Sequence, residues 1–236
     1  MWTFRPGQLR SGREFAALTQ QRAAEQLGVS QAYLALMESG RRRVTQQLGL
    51  MMVDLYRLPV TALPLEISDL DSWDSASLAE ALAALGYAGF RHLRGGQSRN
   101  PAVILLAAIS RDDLEIRVIE SLPWLVVQYQ DLDWEWLTRE AKLRDAQNRL
   151  GFVVALGRRV AEKHDAEAAS RLGDVNDLLD HARLAREDTL CQRSLSEAER
   201  RWLRQERPAI ARHWNLLTDL DVEHLPVVGY FGFPQA

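Results

Sequence analysis

The stretch from 18 to 40 predicts two short helices joined by a tight turn. Thr19 and Ser30 can cap the starts of these helices, because a hydroxyl oxygen there accepts a hydrogen bond from a free backbone amide. Gly28 and Gly40 can end them, since glycine adopts a left-handed helix-end conformation without a steric penalty. Two capped helices at this spacing are typical of a helix-turn-helix.

The second of these helices, predicted over 31–39, has one apolar face and one exposed face. Its apolar residues share a small core with the first helix, predicted over 20–27, through Ala24, Leu27, Val29, Leu34 and Met37. Its outer face carries Gln31, Ala32, Ala35 and Leu36. Such a helix fits the major groove of DNA, which is roughly 12 Å wide, and a glutamine at its N-terminal end can pair with N6 and N7 of adenine. We therefore predict that Gln31 is the first base-reading residue.

Three motifs in this stretch, Thr19-Gln20, Leu27-Gly28-Val29-Ser30 and Glu38-x-Gly40, resemble the lambda-repressor-like (XRE) family of helix-turn-helix regulators. The resemblance covers residues 5–65 and implies a five-helix DNA-binding head. In this family an arginine of the first helix pairs with a glutamate near the end of the recognition helix, which implies a structural brace between Arg13 and Glu38. The family's glutamine at the start of the second helix contacts a phosphate and braces the recognition helix, and it falls on Gln20.

Two positions depart from the family pattern. Ala23 replaces a common leucine, and Leu36 stands where a polar or basic base reader is frequent. Leu36 can contact a thymine methyl group or take no part in reading the sequence, so the operator is left open. The full set of predicted DNA-contacting residues is Arg10, Thr19, Gln20, Ser30, Gln31, Ala32, Tyr33, Ala35, Leu36, Arg41, Arg42 and Arg43.

The charge is distributed unevenly along the chain. Residues 1–65 contain eight arginines and four acidic residues, a net charge of +4. Because the whole chain has a net charge of −3, the residues after 65 have a net charge of −7. A basic head on an acidic body is typical of a polyanion-binding domain attached to a second domain. Arg41, Arg42 and Arg43 directly follow the predicted recognition helix, where they can reach phosphates; the alternative is a merely solvated charge run.

The rest of the N-terminal part predicts the other helices of this head. Leu9, Phe15 and Leu18 indicate a first helix, packed under the helical hairpin. A fourth helix follows from the helical spacing of Leu48, Met51, Met52 and Leu55, and a short fifth turn is expected over 60–65.

Beyond residue 65 the pattern stays helical. Expected helices include one capped by Ser77, an apolar one over 101–109, one that ends before Pro123, one capped by Asp133, and a long periodic stretch to about 164. Others are expected over 166–186, after the Ser196–Glu199 capping box, and from Pro208 to about 217. We predict an all-α fold with a head at 1–65, a linker at 66–76, a larger helical domain at 77–218 and an apolar tail at 219–236.

Other candidate sites are weaker. The GGQSR segment at 95–99 lacks the spacing of a phosphate-binding loop, which favours a simple connection. Trp124, Tyr129, Trp134 and Trp136 could line a ligand pocket, although aromatic residues at such spacing are more often core. The five histidines are scattered and no GxSxG motif is present, so we expect no enzymatic activity, no metal and no cofactor. A single cysteine and the absence of a long apolar run favour a cytoplasmic protein without a membrane span.

Two interpretations of function remain open. The first is a sequence-specific transcriptional regulator, a repressor that binds double-stranded DNA as a homodimer on a palindromic operator, because one helix-turn-helix reads only a few base pairs. The second is the antitoxin of a toxin–antitoxin or phage-defence operon. In that case residues 66–236 would bind a toxin as protein partner, and the head would regulate the operon.

Overall fold

The computed structural model describes residues 2, 4, 7–67, 70–93, 96 and 98–225. Within these residues the regular structure is mostly helical, with twelve α-helices and two strands of two residues each. The prediction of an all-α fold is therefore confirmed. The predicted connection at 95–99 and the predicted tail at 219–236 lie partly outside the described residues, at positions 95, 97 and 226–236.

The chain divides into two compact units. The N-terminal unit contains the described residues up to 67 together with 98–100, and the C-terminal unit contains the other described residues. Asn100 belongs to the N-terminal unit because its side-chain amide donates to the carbonyls of Thr61, at 2.9 Å, and Leu63, at 2.6 Å. The C-terminal unit begins inside the segment predicted as a linker, since Leu70 is buried within it.

Four α-helices form the N-terminal unit: α1 (Gln8–Phe15), α2 (Gln20–Gln26), α3 (Gln31–Glu38) and α4 (Gln46–Leu55). The short fifth turn predicted over 60–65 is a single 3-10 turn, Val60–Ala62.

The core of this unit differs from the prediction at two residues. Leu9 of α1 is buried, but Phe15, which was predicted to pack under the hairpin, is 89% exposed. The reason is geometric: six residues along a helix rotate by about 600°, so the Phe15 side chain points about 120° away from the face of Leu9. Met51 was placed on the inner face of α4, yet it is 42% exposed, whereas Met52 is buried.

The C-terminal unit contains eight α-helices and the two short strands. In chain order these are α5 (Ser75–Ala84), α6 (Pro101–Ile109), α7 (Ile116–Gln128), α8 (Trp134–Lys142), α9 (Gln147–Ala161), α10 (Ala166–Asp180), β1 (Asp188–Thr189), α11 (Glu197–Glu206), α12 (Ala209–His213) and β2 (Leu216–Leu217). Single 3-10 turns lie at Leu70–Ser72, Ala88–Phe90 and Val222–His224.

Burial in this unit centres on α6, α7 and α9. Every residue of α6 is buried, as its continuous apolar run predicted. α9 packs against both α7 and α10. Among the described helices, none is long and apolar enough to cross a membrane.

Two predicted helix boundaries in this unit are wrong because local signals were misread. α5 is capped by Asp74, whose carboxylate accepts from the backbone and hydroxyl of Ser77, so the helix begins three residues before the predicted one. Pro123 lies inside α7 instead of ending it. Gly157 of α9 lets the two helices approach closely, since a β-carbon there would lie 3.2 Å from the Pro123 carbonyl oxygen. This packing offsets the lost backbone bond of the proline.

Two other boundaries lie at residues in the left-handed region, and a third differs only in position. The long predicted helix is broken into α8 and α9 near Asp145, which has φ 55°. Near the C-terminus, Asn215, with φ 53°, ends the segment predicted to be helical to 217, and Leu216–Leu217 pairs with β1 in parallel. α10 ends at Asp180, earlier than the predicted 186. Asp133 and the Ser196–Glu199 capping box start α8 and α11 as predicted.

Candidate nucleic-acid interface

The helical hairpin of α2 and α3 is fixed by its own capping residues. The Thr19 hydroxyl accepts from the backbone amide of Arg22, and the Ser30 hydroxyl accepts from that of Tyr33, each at 3.2 Å. Gly28 has φ 66° between the two helices, in the left-handed region where a β-carbon is strained. The geometry of the turn is therefore determined by residues within the turn and at the helix ends beside it.

A small apolar core under the hairpin sets which face of α3 points outward. Ala24 of α2 packs in the same core as Leu34 and Met37 of α3, and all three are at most 3% exposed. Leu27 is also buried, and Val29 is partly buried against this core. Because one side of α3 is anchored in this way, its opposite side faces solvent.

A buried ion pair joins α1 to the end of α3. Arg13 donates to both carboxylate oxygens of Glu38, at 2.6 and 3.2 Å, and to the carbonyl of Leu18 at 2.8 Å. Arg13 and Glu38 are 7% and 5% exposed. The hydrogen bond to Glu38 raises the pKa of Arg13, which keeps the guanidinium charged. Burial, together with the nearby Glu38 charge, raises the pKa of Tyr56 to about 12. The two parallel hydrogen bonds between Arg13 and Glu38 fix the relative orientation of these side chains as well as their distance.

Two glutamines extend this brace to the surface. Gln20 donates from its amide nitrogen to the second Glu38 oxygen at 3.0 Å, and Gln31 donates to the Gln20 side-chain oxygen at 3.3 Å. A continuous chain of contacts thus runs from the buried Arg13 to the N-terminal end of α3. The Gln31 carbonyl oxygen stays available to accept from adenine N6. Its amide can turn to N7 by giving up one long, exposed hydrogen bond.

The remaining predicted contact residues of α3 form the surface beside Gln31. Ala32 is exposed, Ala35 is half-buried, and Leu36 is 39% exposed. This combination gives a smooth apolar strip next to the polar tip, suited to van der Waals contact with base edges. Leu36 also accepts, through its carbonyl, the backbone amide of Arg42, which holds the arginine segment against the end of α3.

The three consecutive arginines after α3 are all exposed. The guanidinium of Arg42 lies 5.1 Å from the ring centroid of Tyr33, a cation–π contact that orients it along α3. Arg10 differs from them, because it pairs with Glu14 at 2.8 Å on the exposed surface of α1. That carboxylate offsets part of the attraction between Arg10 and a phosphate, so Arg41, Arg42 and Arg43 are the stronger candidates.

One part of this unit was missed from the sequence. Trp2 is 3% exposed and exchanges two backbone hydrogen bonds with Val44, at 2.6 and 2.9 Å. Its ring covers Gly49, where a β-carbon would lie 2.4 Å from a ring atom. A glycine in the middle of α4 was the available signal, since glycine in a helix often marks a close approach. This contact fixes the chain directly after the three arginines.

The aromatic residues considered as a ligand pocket lie in the other unit, where Trp124 is buried in the core and Tyr129, Trp134 and Trp136 are half-buried. Trp124 is 3% exposed and its ring lies 5.1 Å from Tyr87 and 6.1 Å from Tyr129. Tyr129 donates its hydroxyl to the Leu85 carbonyl, and Trp134 donates its indole N–H to Gln130. Their polar atoms are thus satisfied inside the protein.

Comparison with known proteins identifies the class of the N-terminal unit. Residues 7–65 match the family described as Helix-turn-helix domain. This agrees with the lambda-repressor-like segment recognised in the sequence. No curated protein and no solved structure gives a significant match to the chain.

The match and the geometry together define a helix-turn-helix domain at residues 7–65, consistent with a lambda-repressor-like segment, and such a domain indicates a DNA-binding regulator. The C-terminal unit is not assigned to a family.

Proposed function

We propose that the protein is a sequence-specific transcriptional repressor that binds a palindromic operator as a homodimer. The observation that carries this proposal is the exposed face of α3, held from below by Arg13 and Glu38 and reaching the surface at Gln31. A recognition helix must present its side chains in one orientation to the major groove, and a braced helix meets this requirement.

The distribution of charge also supports DNA binding at the exposed face of α3. The excess of arginine in the N-terminal part supplies attraction to phosphates, and the three arginines after α3 lie beside the proposed reading surface. We assign base contacts to α3 and phosphate contacts to these arginines. Gln20 and the capped helix starts at Thr19 and Ser30 supply further backbone contacts. We further propose that the protein acts in the cytoplasm and has no catalytic activity of its own.

The homodimer follows from the size of the reading surface. One α3 helix reads only a few base pairs, whereas two copies related by a two-fold axis read half-sites about one helical turn apart. Selection of bound fragments from genomic DNA, followed by sequencing, tests this. We expect a site with dyad symmetry and half-sites separated by about 10 base pairs or a multiple of this spacing. Recovery of an asymmetric single site would contradict the homodimer, and no enrichment would contradict sequence-specific binding.

Salt dependence tests the assigned phosphate contacts. Each phosphate contact contributes a slope of about −0.9 to log K against log salt on duplex DNA. The triple replacement of Arg41, Arg42 and Arg43 by alanine should flatten the slope by up to about 2.7 and weaken operator and random DNA alike. The matched control replaces the exposed Arg171 and Arg201 and the half-exposed Arg158, three surface arginines of the C-terminal unit, and changes the net charge equally. Equal slopes for the two variants would mean that only total charge matters.

The competing proposal is an antitoxin, which the charge of −7 outside residues 1–65 favours, because an acidic domain can bind a basic toxin. The neighbouring gene separates the two proposals. A small toxin-like reading frame in the same operon, whose product co-purifies with this chain, supports the antitoxin. A chain that represses its operator without such a neighbour supports the stand-alone repressor.

A further inference from the structure

A polar pocket lies in the C-terminal unit, far in sequence from the residues of the helix-turn-helix. Its volume is about 370 Å³, within the range of pockets that hold small molecules. It lies where the α6–α7 connection, the α8–α9 turn and the segment from 186 to 200 meet. Five arginines line it: Arg144, Arg149, Arg186, Arg193 and Arg200.

The buried arginine of this set holds the pocket together. Arg149 is 7% exposed and donates to both carboxylate oxygens of Asp188, at 2.8 and 3.1 Å. It also donates to the backbone carbonyls of Ile109 and Arg111, at 3.1 and 2.6 Å. One side chain therefore fastens β1 and the end of α6 to α9, and its own hydrogen-bonding capacity is used for structure.

The other arginines leave the pocket with an excess of donors. Four carboxylates line it beside the five arginines, a formal excess of one positive charge. Glu187 pairs at 2.9 Å with Arg204 and Arg144 pairs at 2.8 Å with Glu140, and neither of these two partners is a lining residue. Arg200 donates only to the backbone carbonyls of Leu195, at 3.1 Å, and Arg193, at 2.7 Å. Within the described part of the chain, no carboxylate pairs with it. The lining thus carries positive charge that its own acids do not fully compensate.

A second, independent observation comes from Thr189 of β1. This residue lines the pocket and is 2% exposed, yet its hydroxyl has no hydrogen-bond partner among the described residues. A buried hydroxyl without a partner destabilises the folded state, because it has lost its hydrogen bonds to water. Because guanidinium groups only donate, they cannot accept its proton, whereas an oxygen atom of a bound ligand can.

We propose that this pocket binds a small oxyanion, the phosphate or carboxylate group of a hydroxylated metabolite. The oxyanion accepts hydrogen bonds from Arg200 and from the Thr189 hydroxyl. Guanidinium groups suit this role, since their planar fork matches phosphate and carboxylate oxygens. The lining carboxylates, such as Asp145, accept from the ligand's hydroxyl groups. This inference goes beyond DNA binding and does not depend on it.

Titration calorimetry on the full chain tests the proposal with three probes: inorganic phosphate, ribose 5-phosphate and citrate. Each is titrated at constant ionic strength, with sodium chloride as the reference. We expect saturable binding of at least one probe at one site per chain. Stronger binding of ribose 5-phosphate points to a phosphorylated ligand, and stronger binding of citrate points to a carboxylate. The absence of saturable binding for all three overturns the proposal.

Matched threonine variants locate the site. Thr189→Val removes the hydroxyl at nearly constant volume and should weaken binding of the best probe by about tenfold, the loss of one hydrogen bond to a charged group. Without ligand, Thr189→Val should melt at or above the temperature of the unmodified chain, because an unpaired buried hydroxyl is gone. Thr138→Val is the control, since the Thr138 hydroxyl is also buried without a partner but does not line the pocket. Equal probe affinities for the two variants overturn the proposal.

A pair of arginine variants gives a second readout that does not depend on Thr189. Arg200→Met removes the guanidinium without a carboxylate partner and should weaken the best probe by at least about tenfold. Arg201→Met changes the next residue of α11, which is exposed and not a lining residue, and should bind as the unmodified chain does. Identical affinities for these two variants also overturn the assignment. The readout is ligand binding itself, so a failure of DNA binding leaves this test interpretable.

Discussion

Each unit of the protein is built around one buried arginine, and the two arginines are used differently. Arg13 in the N-terminal unit pairs with Glu38, so that it joins α1 to α3, and both residues are largely buried. Arg149 in the C-terminal unit pairs with Asp188 of β1 and with carbonyls at the end of α6, residues in or next to connecting segments. Arg13 therefore fixes one helix against another, whereas Arg149 holds connecting segments of the chain together.

The consequence for function lies in the surface next to each pair. Next to Arg13 is the exposed face of α3, whose orientation is fixed by the capping residues of α2 and α3 and by the buried core beneath them. A fixed orientation of this kind is what binding in the DNA major groove requires. Beside Arg149 is an open polar pocket bounded by loops, as binding of a small ligand requires. Two buried arginine–carboxylate pairs of the same kind therefore lie beside the proposed reading surface in one unit and beside the pocket in the other.

The largest expected loss of stability follows from replacing Arg149, which holds connecting segments together. Arg149→Ala leaves Asp188 without its partner and two backbone carbonyls without donors, and should destabilise the C-terminal unit by about 4 kcal/mol. Hydrogen exchange read by mass spectrometry should show faster exchange in α9 and α6, while α3 keeps its protection. The control is Arg158→Ala on the same helix, whose pair with Glu162 is half-exposed. If the two variants have equal stability, Arg149 does not organise this unit.

Loss of the Arg13–Glu38 pair, which joins α1 to α3, should cause the next largest loss of stability. Glu38→Ala leaves Arg13 with an uncompensated buried charge and should cost the N-terminal unit about 3 kcal/mol. Exchange should accelerate in α1 and α3 only. Glu14→Ala, which breaks the exposed pair with Arg10, is the matched control and should change stability by less than about 0.5 kcal/mol. A melting profile of Glu38→Ala that matches that of the control would refute the brace.

A smaller effect of opposite sign is expected at the end of α1. Ala17 has φ 54°, a conformation that costs a residue with a β-carbon about 1 kcal/mol or more. Ala17→Gly should therefore stabilise the N-terminal unit by about 0.5–1 kcal/mol, measured by urea unfolding. Ala16→Gly is the control, because Ala16 has φ −74° and gains nothing from glycine. Stabilisation by both changes would show that strain at Ala17 is not the cause.

The N-terminal unit was predictable because its determinants are short-range. Thr19, Ser30, Gly28 and Gly40 act within a few residues of their own positions, and the structure places each as its residue type requires. The exposed position of Phe15 was not predictable in this way, since an apolar residue at the end of a short helix can face either side.

The C-terminal unit was less predictable because its determinants are long-range. α7 continues through Pro123, and α9 packs closely against it at Gly157, 34 residues later, a contact that the sequence around Pro123 does not show. The pocket depends on Arg149 meeting Asp188 and Ile109, some 40 residues away on either side. Nothing in the local pattern around Arg149 distinguishes it from the exposed Arg158 on the same helix.

The central claim, that the outer face of α3 reads DNA bases, is tested most directly at Gln31. On the operator recovered from genomic selection, Gln31→Ala should cost about 1–3 kcal/mol and relax the preference at one base pair per half-site. Binding to random DNA should barely change, and the circular dichroism spectrum should match that of the unmodified chain. Gln47→Ala, at an exposed glutamine of α4, is the control and should bind the operator normally. If Gln31→Ala weakens operator and random DNA by the same factor with the fold intact, Gln31 does not read a base and the proposed register of α3 is wrong.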